Sequence, residues 1–197
     1  MSGRLIVIEG LDGSGKATQA KRLAAALADR GLSVREISFP NYESDSSALV
    51  RMYLRGDLGT EPGDVSAWAA SLFFTVDRYA GMKQDWGAFY QNGGILVADR
   101  YTTSNAVHQC CKLPEEQWDA YLDWLFHLEY RVLGLPEPDL VLLLVILLQG
   151  SVVLLQRLPL LLLQVLGCPL VGLLQQLPVG LAVAADGKLA LDFCCRS

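Results

Sequence analysis

The last third of this chain is nearly without charge. From Leu140 to Ala185 it holds no aspartate or glutamate and one base, Arg157, while leucine recurs throughout. Other absences narrow the chemistry. There are two histidines, His108 and His127, with no HExxH and no paired Cys/His ligand spacing, so both read as structural and no histidine-built metal centre is expected. No GxSxG occurs, which removes the serine-hydrolase elbow. Five cysteines (Cys110, Cys111, Cys168, Cys194 and Cys195) include no CxxC pair. An odd count with two adjacent pairs argues against a disulfide framework and for a reducing compartment. Lys and Arg total 16 against 21 Asp and Glu, a net charge of −5. No partnership with a nucleic-acid polymer is therefore expected, and the partner should be a small anion held by local positive groups. The chain enters an apolar run within a few residues and shows no secretory leader pattern, so a cytoplasmic protein is expected. Its 197 residues fit one domain, 1–197, with a sizeable core.

What is present is concentrated in Glu9-Gly10-Leu11-Asp12-Gly13-Ser14-Gly15-Lys16-Ala17-Thr18. This stretch follows the apolar run Leu5-Ile6-Val7-Ile8 and precedes the amphipathic run from Gln19 to Arg30. Strand, glycine loop and helix in that order are the setting a phosphate-binding loop needs. Gly10, Gly13 and Gly15 let successive N–H groups turn inward on phosphate oxygens, and the helix adds its positive end. Lys16 supplies a point charge for the β- and γ-phosphates of a nucleotide. The position after this lysine usually carries Ser or Thr for magnesium. Here it is Ala17, and the reach of Thr18 is left open.

The elements read in order. Residues 4–8 form a buried strand, 16–30 a helix with Ala20, Leu23, Ala24 and Leu27 on one face, and 33–39 a second strand. The opening is thus βαβ, the unit of a parallel α/β sheet. A short helix spans 46–55. A longer helical region spans 64–91, with Trp68, Leu72 and Val76 or Tyr79 at helical spacing. Ile95 to Ala98 is a third strand, 102–111 and 114–133 are helical, and Leu140 to Leu144 is a fourth strand.

In an open parallel sheet, ligands sit beyond the carboxyl ends of the strands. Three groups share that edge: the glycine loop, Phe39-Pro40-Asn41-Tyr42 and Asp99-Arg100-Tyr101. Asp99 suits a carboxylate that orients magnesium, or a helix cap; Arg100 suits a fork on phosphate, or an ion pair. Asp77-Arg78 offers a further guanidinium or a solvated helical pair. Of Phe73 and Phe74, one belongs to the core and the other can stack on a base. Asp12 is poorly placed for nucleotide phosphate because of its charge, and suits the acceptor side instead. A phosphate loop with several arginines points to two anions brought together, the needs of phosphoryl transfer to a small phosphorylated acceptor.

These residues resemble the thymidylate kinase family, among the P-loop nucleoside monophosphate kinases. The matching segments are Ile8 to Lys16, Phe39-Pro40-Asn41-Tyr42, Leu72-Phe73-Phe74 with Asp77-Arg78-Tyr79, Asp99-Arg100-Tyr101 with Ser104-Asn105, and Pro138-Asp139-Leu140-Val141. They cover about residues 3–145. The resemblance implies a three-layer P-loop kinase fold, with a parallel five-stranded sheet flanked by helices, and a homodimer. It implies transfer of the γ-phosphoryl group of ATP to dTMP, with Mg2+. Gly10, Leu11, Asp12, Gly13, Ser14, Gly15, Lys16, Ala17 and Thr18 would hold ATP. Asp12, Lys16, Arg100 and Arg157 would act in catalysis, and Asp99 near the metal. Pro40, Tyr42, Phe74, Arg78, Arg100, Tyr101, Ser104 and Gln109 would bind dTMP, with Phe74 stacked on thymine and Tyr101 crowding the sugar 2′ position.

After residue 145 the pattern departs. Where the family has an arginine-rich lid, residues 146–182 are leucine-rich and offer Arg157 alone. Three readings of this segment stay open: a membrane anchor from Leu140 to Leu163, a tail that has lost the lid, or a corrupted sequence, through a frame slip in the gene or poorly established residue identities. Correspondingly, a lid-deficient nucleotide-binding protein and a P-loop kinase of another nucleoside monophosphate are the alternative functions.

Overall fold

The computed structural model describes residues 2–144 and the backbone of Leu181–Ala184. Arg157 and the leucine-rich segment up to residue 180 lie outside the described residues. Four strands run parallel: β1 (Arg4–Gly10), β2 (Val34–Ser38), β3 (Ile95–Asp99) and β4 (Leu140–Leu144). A fifth, β5 (Leu181–Ala184), pairs with β4 antiparallel, giving the order β2-β3-β1-β4-β5. The expectation of five parallel strands is therefore corrected to four parallel strands with one antiparallel edge strand. The helices are α1 (Lys16–Ala28), α2 (Ala48–Leu54), α3 (Ala67–Gly81), α4 (Gly87–Gln91), α5 (Thr102–Cys110) and α6 (Trp118–Phe126).

Alternation along β1 decides the two core layers. Leu5 and Val7 face one way and pack with Leu96, Ala98, Phe39, Trp86 and Tyr101. Ile6 and Ile8 face the other way, meeting Val97, Leu142 and the α1 residues Ala20, Leu23 and Leu27. The predicted face of α1 is thus the one it buries, and each such leucine contributes about 1.5–3 kcal/mol when removed from water. A third cluster joins α3, α5 and α6 through Ala67, Ala106, Cys110, Tyr121 and Leu125.

The register brings the strand ends level. Ile8 pairs with Asp99, and Asp99 with Ser38. The glycine loop, Phe39 and Arg100 therefore leave the sheet at one edge. Phe39 N donates to Asp99 O and Arg100 N to Ile8 O, each at 3.0 Å, which extends the ladder one step past both strands. The Phe39–Pro40 peptide is cis.

Helix α3 departs from its predicted face. Leu72 and Val76 are 43% and 48% exposed. The buried face is instead Ala67, Ala70, Ser71, Thr75, Asp77 and Arg78. Trp68 does pack inward, on Tyr121 and Trp124. Apolar spacing misleads here because the inner face of α3 meets hydrogen-bonding partners and not only a greasy core. A π-helical turn at Met82–Trp86 joins α3 to α4, so the long helical region predicted for 64–91 is two helices with a bulge between them.

Candidate active site

The phosphate loop folds as its spacing requires. Gly13 and Gly15 have φ of 79° and 85°, and Gly15 precedes the first turn of α1. At Gly10 (φ 153°) an added Cβ would lie 2.7 Å from both Leu144 O and Ser14 Oγ. No side chain fits where β4 passes so close to the loop. Lys16 is buried and curls back over the loop, donating from Nζ to Leu11 O at 2.7 Å, with Asp12 Oδ1 at 3.7 Å. Ser14 Oγ is buried without a partner among the described residues. Ala17 and Thr18 sit exposed on the first turn of α1.

Arg100 stands at the end of β3 with φ 66°, a left-handed conformation uncommon for a side-chain-bearing residue. From there its guanidinium crosses to the phosphate loop and pairs with Asp12. Nη1 also donates to Ser104 Oγ at 3.2 Å. Asp99, one residue earlier, keeps a buried Oδ1 without a partner among the described residues. Burial holds its carboxyl above the usual aspartate range, against the pull of Lys16 and Arg100.

Beside this edge lies a cavity of about 430 Å³. Asp12, Arg100 and Ser104 line one part of it, with Pro40 and Tyr42 from the loop after β2. Phe74, Arg78, Tyr101 and Gln109 complete the residues expected there. Of the predicted acceptor-side set, every member reaches this wall. Phe39, Asp77 and Asn105, read from the sequence only as members of its motif segments, also line it, and Tyr53, Leu54, His108 and Lys112 were not read from the sequence as site residues. His108, read as structural, is corrected to a wall residue, with Nε2 3.4 Å from Arg100 Nη1. Burial and the positive neighbours Arg100 and Lys16 lower its pKa from 6.5, so its imidazole is neutral at pH 7.

Two polar side chains and one aromatic stand together on this wall. Asn105 Oδ1 and Gln109 Oε1 are both buried, both belong to lining residues, and neither has a partner among the described residues. Such atoms cost about 1–3 kcal/mol each while unpaired. Phe74 adds an aromatic surface for a planar ring.

Two buried carboxylates that the sequence reading missed hold this wall. Glu129 is 0% exposed and binds Arg78 through Nε (2.9 Å) and Nη2. It also accepts from Thr75 and Thr102, each at 2.6 Å. Arg78 thus arrives with two nitrogens engaged and Nη1 left for another group. Asp77 is a tether, accepting from Asn41 N and Ser46 Oγ, which ties the loop after β2 to α3. Glu9 accepts from Tyr101 N (3.1 Å), Thr103 Oγ1 (2.7 Å), Ser104 N (3.0 Å) and Ser104 Oγ, fixing the start of α5 to the end of β1.

Glu9 makes a pH prediction. Desolvation raises its pKa above 4.5, against the bonds from Ser104, Thr103 and Tyr101. Between 4.5 and the raised value, the folded chain holds a proton the unfolded chain has lost, so stability falls as pH rises through that window. Glu9→Gln cannot titrate and removes this component of the slope. Urea melts from about pH 4 to pH 7 check it, since an unchanged slope would assign the shift elsewhere.

A metal at this edge would need hard oxygen donors. Among the described residues no three metal-ligating side chains cluster. One partnerless carboxylate oxygen, that of Asp99, fits a magnesium ion that keeps its waters and arrives on phosphates, which is how magnesium is commonly held.

Comparison with known proteins places the chain in a family. The thymidylate kinase family model matches residues 8–156. The thymidylate kinase of Mycobacterium tuberculosis is 34% identical over 138 residues, covering 68% of this chain and 62% of that protein. The Homo sapiens thymidylate kinase is 33% identical over 140 residues, 71% of this chain and 59% of its own. A solved thymidylate kinase structure from Candida albicans aligns with a TM-score of 0.54 at 29% identity, over 71% of this chain and 61% of that one. The chain spans about three fifths of the length of the curated relatives it matches. With its glycine loop, its Arg100–Asp12 bridge and these relatives, the chain belongs to the thymidylate kinase family.

Proposed function

We propose that this chain transfers the γ-phosphoryl group of ATP to dTMP, giving ADP and dTDP on the way to dTTP. The observation that carries the reading is the cavity between the phosphate loop and α5. It has Arg100 and Asp12 at its phosphate side, and Phe74 with Asn105 and Gln109 for a base. A pyrimidine ring stacks on Phe74, with the Asn105 and Gln109 residues beside it.

In the reaction an oxygen of the acceptor phosphate attacks the γ-phosphorus, a new P–O bond forms, and the bond to the β-phosphate oxygen breaks. Positioning and charge stabilisation do most of this work. Residues Gly10 to Thr18 bind the ATP phosphates, with Lys16 on the β- and γ-groups. Arg100 spans acceptor and transferring group, and Asp12 keeps it aimed. Asp99 would hold magnesium, which would supply neutralisation of phosphate charge. Pro40, Tyr42, Arg78, Tyr101 and Ser104 shape the acceptor side. Arg157 would add a lid charge and lies outside the described residues.

The same reading takes the chain as one cytoplasmic domain without membrane or nucleic-acid partners. Among the described residues no helix is long and apolar enough to cross a membrane. It also takes the chain as a homodimer, supported by the exposed apolar pair Leu72 and Val76 one turn apart on α3.

One observation favours a second reading, a nucleotide binder without turnover: Ala17 has no hydroxyl for the metal, and Thr18 is exposed. ADP release with ATP and magnesium, comparing dTMP, dUMP, UMP and no acceptor, separates them. Release that depends on dTMP is expected. ATP binding with no release above the acceptor-free rate would establish the second reading, and faster release with UMP would reassign the acceptor.

A further inference from the structure

One wall of the acceptor cavity has no part in the proposed chemistry. Tyr53 comes from the short helix α2, and Lys112 follows the end of α5; both line the cavity beside Phe74. Lys112 Nζ donates to Tyr53 Oη at 2.5 Å and lies 4.8 Å from the centre of that ring. It also reaches Val65 O at 3.4 Å, and its backbone N donates to Gln109 O at 3.0 Å. Lys112 therefore ties together α2, the segment before α3 and the end of α5. The Tyr53 ring meets Phe74 edge-on, 6.1 Å between centres and 89° between planes, and Phe73 at 6.2 Å.

We propose that Lys112 is a positioning residue for the acceptor: by bonding the Tyr53 hydroxyl it braces that ring against Phe74 and so fixes the plane on which a base stacks. The inference rests on the acceptor reading of this cavity. The physical reason is cost. A partly buried tyrosine on a seven-residue helix has rotamers to lose when a ligand docks, and an ordered wall pays that before binding. A strong charge-assisted bond at the tip of the ring holds it at the end farthest from the backbone. The brace acts on binding of the base, not on the reacting phosphates, so it moves KM and leaves kcat.

The test uses Lys112→Met, which keeps the stem and loses the donor, Tyr53→Phe, which keeps the ring and loses the hydroxyl, the double variant, and Lys112→Arg. Each single variant is expected to raise KM for dTMP about threefold to tenfold, with kcat and KM for ATP within about twofold. The double variant should be no worse than Lys112→Met, because the bond to Tyr53 is already gone there. Lys112→Arg should restore most of the affinity. Unchanged KM in Lys112→Met, or additive losses in the double variant, would overturn the proposal. A second readout does not depend on turnover: in 3-fluorotyrosine-labelled full chain, the fluorine resonance lost in Tyr53→Phe should shift in Lys112→Met and return in Lys112→Arg. If the wild type transfers nothing to dTMP yet this resonance shifts, the brace stands and the acceptor reading fails. If it does not shift, the brace itself is wrong.

Discussion

An Arg100→Ala variant is expected to lose about a thousandfold in phosphoryl transfer, read as dTMP-dependent ADP release, which corresponds to about 4 kcal/mol of transition-state stabilisation. The geometry gives the reason. Arg100 lines the cavity and reaches from the end of β3 to Asp12 of the glycine loop. Charge spreads over the transferring phosphoryl oxygens in the transition state, and a planar fork meets two of them at once. Arg100→Lys keeps the charge without the fork and should recover only part of the rate. Stability separates this loss from unfolding. The Asp12 partner is 91% exposed, so the pair contributes at most about 1 kcal/mol to folding. The left-handed backbone sharpens the control. At φ 66° any residue with a Cβ is strained, so Arg100→Gly relieves about 1 kcal/mol and should be at least as stable as the wild type while equally inactive. A rate within tenfold of wild type in Arg100→Ala would remove Arg100 from the transferring group.

The largest effect on stability is expected from Glu129→Ala. Glu129 and Arg78 form an ion pair at 0% and 3% side-chain exposure, and Thr75 and Thr102 also depend on this carboxylate. Removing it leaves a guanidinium buried without its counter-charge, which costs about 3–5 kcal/mol. For a chain of this size that is a fall in melting temperature of about 6–20 °C, measured by calorimetry with urea melts to confirm an unchanged m-value. A double variant, Arg78→Met with Glu129→Leu, discards the pair as a unit and should recover much of the stability, because the desolvation of both charges is then avoided. It should not recover acceptor binding, since Arg78 lines the cavity. If Glu129→Ala melts within 2 °C of wild type, water or another group must compensate Arg78, by the same scaling of about 2–4 °C per kcal/mol.

Local features were legible because their information is contiguous. The phosphate loop is ten consecutive residues whose glycines, lysine and flanking strand and helix specify its shape without help from elsewhere. The strands β1, β3 and β4 stand out as short apolar runs, and α1 as a face of Ala20, Leu23 and Leu27. Strand ends give positions, so Pro40, Asp99, Arg100 and Tyr101 could be assigned to one edge from order alone.

Pairings between distant segments were not legible. Glu129 looks like a solvated charge on a helix until Arg78, 51 residues away, is folded against it. Glu9 finds the start of α5 across 92 residues, and Lys112 finds Tyr53 across 59. The inner face of α3 was misread for the same reason: apolar periodicity finds the side that repels water, whereas this helix buries Ser71, Thr75 and Arg78 because their partners wait on other elements. By itself the sequence determined the parallel α/β class, a strand–glycine loop–helix of the kind that suits phosphate, and the strand edge at which the candidate residues gather, since each is a property of spacing along the chain. Only the tertiary structure decided which buried carboxylate holds which cation, that His108, Tyr53 and Lys112 join the cavity wall, and that the edge strand β5 runs antiparallel. A buried charge or an unpaired strand edge is stable only beside a complementary group, and that group is set by the fold and not by neighbours in sequence.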